Sequence, residues 1–319
     1  MSLQMRIRQP GGVEQLEAVE FTLPAPGPGE IALRQSAIGV NFVDIYHRTG
    51  LYAMPPARVP GVEGVGVVVA AGAGVTNVKP GDRVAYAGAI GAYATERLLP
   101  AWRAVAVPAG MRDEVAATAL ARGLTAHMLM NRVYPVAAGS TLLIHAAAGG
   151  LGQLLTQWAR ARGVTVIATV GSEAKAQIAR AAGARHVVVG RNADFAAVVK
   201  EVTGGRGVDL AIDGIGGATL AKNFASVRPF GVVASIGQAG GPIAPLKVED
   251  MGAATLTRPS VMAYMNERAT YEAAAPEVLA ATAAGLAPLL GRGYRLTEAG
   301  GAQKALEEGT TTGCLYLLP

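Results

Sequence analysis

Between about Gly139 and Gly237 the sequence alternates short apolar runs with stretches of helical character, and few folds accommodate that order. The runs are T141-L-L-I-H-A146, V164-T-V-I-A-T-V170, H186-V-V-V189, V208-D-L-A-I-D213 and G231-V-V-A-S-I236. Between them lie Leu151 to Arg162, Glu173 to Ala182, Phe195 to Val202 and Ala218 to Val227. The runs are apolar at nearly every position, as strands are when helices cover both faces of their sheet. Strand and helix in strict alternation predict a doubly wound parallel sheet, and so an α/β fold.

The flanks read differently. Residues 1 to about 120 carry short β segments punctuated by Gly and Pro. They include the turn-rich stretch Pro24 to Glu30 and the runs Ile31 to Val40, Val65 to Ala71 and Lys79 to Tyr86. Many short strands with turns between them suggest a partly open β-barrel. A helical stretch from about Arg268 to Gly285 precedes short strands to Pro319. The tail is expected to return to the first domain, giving segments 1–122 and 263–319 around an inserted domain at 123–262.

Hydrophobic residues make up 51% and charged residues 16% of the 319 positions, which suits a sizeable core and excludes a disordered chain. No apolar run reaches the roughly 18 residues of a membrane span, and the start of the chain has no apolar signal core. The formal charge is +5, but the arginines are scattered, so nucleic acid is a poor candidate partner and an anionic small ligand a better one. Cys314 is the only cysteine, which rules out a disulfide or a Cys-rich metal site within one chain and makes a reducing cytoplasm the expected setting.

The corner I144-H-A-A-A-G-G-L-G-Q153 follows a strand and opens a helix. Ala147-x-Gly149-x-x-Gly152 matches the dinucleotide fingerprint with Ala at its first position. Small residues there let a pyrophosphate approach the backbone and let the helix close on the strand, while the helix start offers N–H groups and a positive dipole end. Ala148, Gly149, Gly150, Leu151 and Gly152 are therefore cofactor-binding candidates; the bland alternative is a tight turn that binds nothing. At the end of the second strand, an NAD site usually has an acid for the ribose 2′-OH. This chain has T169-V-G-S-E-A-K175, with Gly171 and Ser172 in that place and Lys175 a turn later. Ser172, Lys175 and, past the third strand, Arg191 could hold a 2′-phosphate, which favours NADP(H). Glu173 fits better as a charge in the first helical turn.

A catalytic zinc needs three protein ligands. The histidines are His47, His127, His145 and His186, with no two at ligand spacing, so no metal site is expected. His145, beside the fingerprint, reads as a packed or backbone-bonded imidazole, and His47 as a candidate to reach a cleft. Without a Lewis acid, the better electron acceptors are those that delocalise charge themselves, such as quinones and α,β-unsaturated carbonyls.

Several motifs now point one way. They are N41-F-V-D-I-Y-H-R-T-G-L-Y52, G61-V-E-G-V-G66, V78-K-P-G-D-R-V-A-Y86, G91-A-Y93, G123-L-T-A126, H145-A-A-A-G-G-L-G152, T169-V-G-S172, T257-R-P-S260 and the ending G-C-L-Y-L-L-P from Gly313 to Pro319. Together they resemble the zinc-independent quinone oxidoreductase (ζ-crystallin-like) branch of the medium-chain dehydrogenase/reductase superfamily. In zinc members, Asn41 stands where a ligand Cys would be and Val62 where a ligand His would be. The resemblance implies a GroES-like β-barrel catalytic domain plus a Rossmann domain binding NADPH, a quinone as substrate, and a homodimer. It places Asn41, Tyr46, Thr125, Ile236, Gly237 and Arg258 about the nicotinamide, and Tyr46, Tyr52 and Arg258 about the quinone. Asp44 reads as a structural hydrogen-bond acceptor rather than a base. Gly190 and Gly309 stand where relatives carry a Tyr and a basic residue for the 2′-phosphate, which leaves room for NADH. Two alternatives share these motifs: a reductase of enones, alkenals or enoyl thioesters, and a crystallin-like protein that binds NADPH without turnover.

Overall fold

The computed structural model describes the whole chain, Met1–Pro319. In chain order its elements are β1 (Ser2–Ile7), β2 (Leu16–Phe21), β3 (Glu30–Gly39), α1 (Phe42–Thr49), β4 (Glu63–Ala71), β5 (Arg83–Ala87), β6 (Glu96–Pro100), β7 (Val105–Ala106) and α2 (Asp113–His127). Then come β8 (Thr141–Ile144), α3 (Gly150–Ala161), β9 (Thr165–Val170), α4 (Glu173–Ala182), β10 (His186–Val189), α5 (Phe195–Val202), β11 (Val208–Asp213), α6 (Thr219–Lys222), β12 (Val227–Ser235) and β13 (Thr255–Thr257). The remainder holds α7 (Val261–Asn266), α8 (Arg268–Ala283), β14 (Leu290–Arg295), α9 (Ala299–Glu307) and β15 (Cys314–Leu318). The chain divides into two compact units, one of Met1–Leu124 with Met262–Pro319, the other of Thr125–Val261.

In the first unit, β3 organises a seven-stranded sheet. One of its edges pairs along Ile31–Ile38 with β4; its other edge pairs with β6 over Glu30–Arg34 and with β15 at Ile38 and Gly39. Sharing one strand edge between two neighbours makes the sheet fork and curl around a core of Ile31, Leu33, Tyr86, Tyr93, Leu99, Leu315 and Leu317. The β-rich reading of residues 1 to 120 needs correction in one respect: α1 and most of α2 lie in that span, and α9 lies in the tail. The start of α1 follows from local chemistry, since Asn41 is the N-cap and Asp44 Oδ2 accepts from the Asn41 N–H at 2.8 Å. Gly50, at φ 81°, ends it in the left-handed conformation that glycine adopts without strain.

The second unit is a parallel sheet in the order β10-β9-β8-β11-β12-β13 with helices on both faces. Leu143, Ile167, Val188, Ala211 and Val233 pack with Phe195 and Val199 of α5. Leu142, Ile144, Val166 and Ala168 alternate with them, are fully buried, and so face the other side, where α3 lies on β8 and β9. The helix expected over Ala218–Val227 is shorter, Thr219–Lys222 followed by one tight turn, because β12 already begins at Val227. No helix of the chain is long and apolar enough to cross a membrane.

Candidate functional site

All six strands of the second unit run parallel, so their carboxyl ends line one edge of the sheet. Read across that edge, the order is Arg191 after β10, Gly171 and Ser172 after β9, the glycine corner after β8, Gly214 after β11, Ile236 and Gly237 after β12, and Arg258 after β13. The topological switch point lies between β8 and β11, where ligands of open α/β sheets are held.

At the corner, Gly149 is the N-cap of α3, exposed and extended, with its N–H on the Ala146 carbonyl at 2.9 Å. The first helical turn leaves the N–H groups of Gly150, Leu151 and Gly152 without intrahelical partners, aimed off the sheet edge. Gly152 is the close-packing position: a Cβ there would stand 2.5 Å from Ala147 Cα and 2.6 Å from the Ala146 carbonyl oxygen. Ala146 itself takes φ 50°, a left-handed backbone rare for a residue with a Cβ. The corner thus has the shape and donors that a pyrophosphate needs.

One strand over, Ser172 caps α4, its Oγ accepting from the Lys175 N–H at 3.4 Å. Glu173 is turned to Arg180 at 2.6 Å, outside any acid-on-ribose role, as expected for a first-turn charge. Arg191 lies across the end of β9, so close that a Cβ on Gly171 would stand 3.8 Å from its Cγ and 3.9 Å from its Nε. Gly190, at φ 118°, provides the turn that brings Arg191 there. Ser172, Lys175 and Arg191 therefore gather at two adjacent strand ends. Ile236 and Gly237 are half-buried, Thr125 is half-buried in α2, and Arg258 is exposed at the far end of the edge.

Beneath the switch point is a buried chain that sequence reasoning does not reach. His145 Nδ1 meets Thr169 Oγ1 at 2.9 Å and its Nε2 meets Asn223 Oδ1 at 2.7 Å. Asn223 Nδ2 donates to Asp213 Oδ2 at 2.9 Å, and Asp213 Oδ1 accepts from the Ile215 and Gly216 N–H groups at 2.7 and 3.0 Å. Burial lowers the pKa of His145, so this imidazole is a neutral brace, bonded to side chains rather than to backbone. The available signal is Asp213, an acid that closes the apolar run L210-A-I212 at the carboxyl end of its strand.

In the first unit, α1 and the turn after it bring Tyr46 and Tyr52 together, while Asn41 caps the helix start. The Tyr46 and Tyr52 rings meet edge-on with centroids 5.3 Å apart, and the Tyr52 N–H donates to the Tyr46 carbonyl at 3.0 Å. His47 turns inward, 4% exposed, with its ring 6.3 Å from that of Tyr52, and burial lowers its pKa. Asn41 Nδ2 donates to Glu63 Oε1 at 2.8 Å; Glu63 also accepts from the Ala121 N–H at 2.8 Å and pairs with Arg122 at 3.2 Å. Glu63 is fully buried in β4, and burial raises its pKa against the pull of Arg122. Asp44 accepts from Asn41 N–H and, at 3.0 Å, from the Tyr93 hydroxyl, while burial raises its pKa to about 7. No group of three His, Cys, Asp or Glu side chains is arranged to hold a metal ion.

Comparison with known proteins agrees with both units. The model for the alcohol dehydrogenase GroES-like domain matches residues 27–109, and that for zinc-binding dehydrogenases matches residues 150–280. The chain is 40% identical over 325 residues to 2-haloacrylate reductase of a Burkholderia species, covering 98% of each. It is similar along its whole length to two solved structures, each also covered in full. One is the quinone oxidoreductase of Pseudomonas syringae, with 38% identity and a TM-score of 0.96; the other is the quinone oxidoreductase of Escherichia coli complexed with NADPH, with 35% identity and a TM-score of 0.94.

Proposed function

Because the chain belongs to the quinone oxidoreductase branch of the medium-chain dehydrogenase/reductase superfamily, we propose that it is an NADPH:quinone reductase. The observation that carries the cofactor half is the carboxyl edge of the parallel sheet, where a donor-bearing helix start lies beside a cluster of Ser172, Lys175 and Arg191. When bound, NADPH supplies a hydride. The N–H groups of Gly150, Leu151 and Gly152 would hold its pyrophosphate, with the small residues Ala148 and Gly149 leaving the backbone open to it. Ser172, Lys175 and Arg191 take the 2′-phosphate, and Gly171 leaves space beside them. No acid of the strand end repels it, and the absence of a phenol at Gly190 and of a basic side chain at Gly309 lets NADH serve as a weaker donor. Thr125, Ile236, Gly237 and Arg258 are assigned to the nicotinamide end.

On the substrate side, the phenols of Tyr46 and Tyr52 donate to quinone oxygens as they gain negative charge, and the amide of Asn41 is kept in place by Glu63. A quinone spreads that charge over its own ring, so two or three neutral donors suffice and water delivers the last proton. Steady-state assay with a naphthoquinone and NADPH is expected to show turnover; none with that or with phenanthrenequinone would refute the reading. The working form is taken to be a homodimer in the cytoplasm, which light scattering after size exclusion checks for the oligomer.

A second reading rests on the likeness to 2-haloacrylate reductase: reduction of a conjugated C=C bond by the same donor. Rates on a quinone and on a 2-haloacrylate, measured side by side, separate the two.

A further inference from the structure

Helices α1 and α9 face each other along a seam that buries several polar side chains. Arg48 of α1 binds Glu307 of α9 through Nη2 at 2.6 Å. One turn earlier on each helix, Asp44 and Gln303 both lie beside the Tyr93 phenol, so the helices run side by side in the same direction with 44 near 303 and 48 against 307. The phenol donates to Asp44, and the Gln303 amide approaches it without reaching hydrogen-bond geometry. Gln303 and Asp44 are fully buried and Arg48 is 2% exposed. Yet Asp44 Oδ1, both amide atoms of Gln303, and Nε and Nη1 of Arg48 have no hydrogen-bond partner in the protein, and neither has Nδ1 of His47 on the same helix.

Each buried polar atom left unpaired would cost about 1–3 kcal/mol, so five or six in one seam would outweigh most of a domain's net stability. The set mixes acceptors (Asp44 Oδ1, Gln303 Oε1) with donors (Arg48 Nε and Nη1, Gln303 Nε2). An anion would satisfy only the donors and a cation only the acceptors; water does both. We propose that the α1/α9 seam is an internal water site, a short file of ordered waters running from Asp44 at the start of α1 to the half-exposed Glu307 carboxylate. Through it Asp44 exchanges its proton with solvent without the core opening: the carboxyl gives its proton to the adjacent water, which hands one on toward Glu307. The charged groups about the file are Arg48 and His47 of α1, Glu307 of α9, Glu14 near Arg48, and Glu63 and Arg122 beyond Asp44.

The site does not depend on the reductase reading, and its test needs no substrate. Crystals of the full chain diffracting to high resolution are expected to show waters within about 3.2 Å of Asp44 Oδ1, Gln303 and Arg48 Nε; a seam closed by direct contacts among these side chains overturns the proposal. Stability gives a second readout with opposite signs. Gln303→Met removes a member of a satisfied water network and is expected to lower Tm; if the seam is dry, deleting an unpaired amide raises Tm instead. In the same variant, the Asp44 carboxyl followed by carbon NMR is expected to titrate at higher pH than in the parent chain, and an unchanged titration counts against the file.

Discussion

Tyr93 donates to Asp44 Oδ2 at 3.0 Å from a place where neither side chain is exposed. Burial raises the Asp44 pKa to about 7, above its value of about 3.9 in an unfolded chain. The folded state therefore holds the extra proton between those limits. This stability is fully present below about pH 4, falls as pH rises, and is gone above about pH 7, a change of at most about 4 kcal/mol. Asp44→Asn is expected to flatten the profile, with the variant gaining on the parent chain at pH 8 but not at pH 4; urea unfolding at a series of pH values measures it.

Glu63 anchors Asn41, Ala121 and Arg122 at once. Glu63→Leu leaves the Arg122 guanidinium, 12% exposed, without its carboxylate. A loss of about 3–5 kcal/mol is expected, read by denaturant unfolding. A loss below about 1 kcal/mol would mean that Arg122 finds its partners elsewhere.

Gly152 has no room for a methyl group, because the atoms it would strike are backbone. Gly152→Ala is expected to cost about 1–3 kcal/mol and to weaken NADPH binding by at least about tenfold as α3 shifts off the corner. Fluorescence titration with NADPH and thermal unfolding report the two effects separately.

Discrimination between cofactors should reside in Lys175 and Arg191. Replacing either with Ala is expected to raise KM for NADPH by about tenfold while leaving KM for NADH within about twofold, since only NADPH carries the 2′-phosphate. Equal losses with both cofactors would move these residues out of that role.

The Tyr46 and Tyr52 phenols are proposed to donate to the substrate. Tyr46→Phe and Tyr52→Phe keep the edge-on ring contact and remove only the hydroxyl, so kcat/KM for the quinone is expected to fall by about tenfold each, with NADPH affinity unchanged in Tyr52→Phe. Full activity in both variants would leave the substrate side unassigned.

The parallel sheet is legible in the sequence because most of its strands carry apolar runs alternating with helical stretches, and helices over Glu173–Ala182 and Phe195–Val202 follow directly from the spacing. The helices of the β-rich unit are harder to see. Yet α1 carries its own signals, Asn41 and Asp44 as a capping pair and Gly50 as a terminator, and the surrounding Gly/Pro punctuation masks them. In α9 two adjacent glycines near the start obscure the helix, and β13, three residues long, is too short to show a period. Ser172, Lys175 and Arg191 could be named from strand ends alone because a parallel sheet brings successive ends side by side. The Glu63–Arg122 pair and the His145–Asn223–Asp213 chain could not, since their partners are joined only by folding and lie up to 78 residues apart in the latter.

The strand β15 sits inside its sheet, between β14 and β3, although β3 ends at Gly39 and β15 begins only at Cys314. During synthesis β3 must therefore wait, with one edge partly unclaimed, until the whole parallel-sheet unit has emerged and had time to settle. A ribosome that stops short of residue 318 releases a product with a split sheet and sticky backbone, and quality control should recognise it as such.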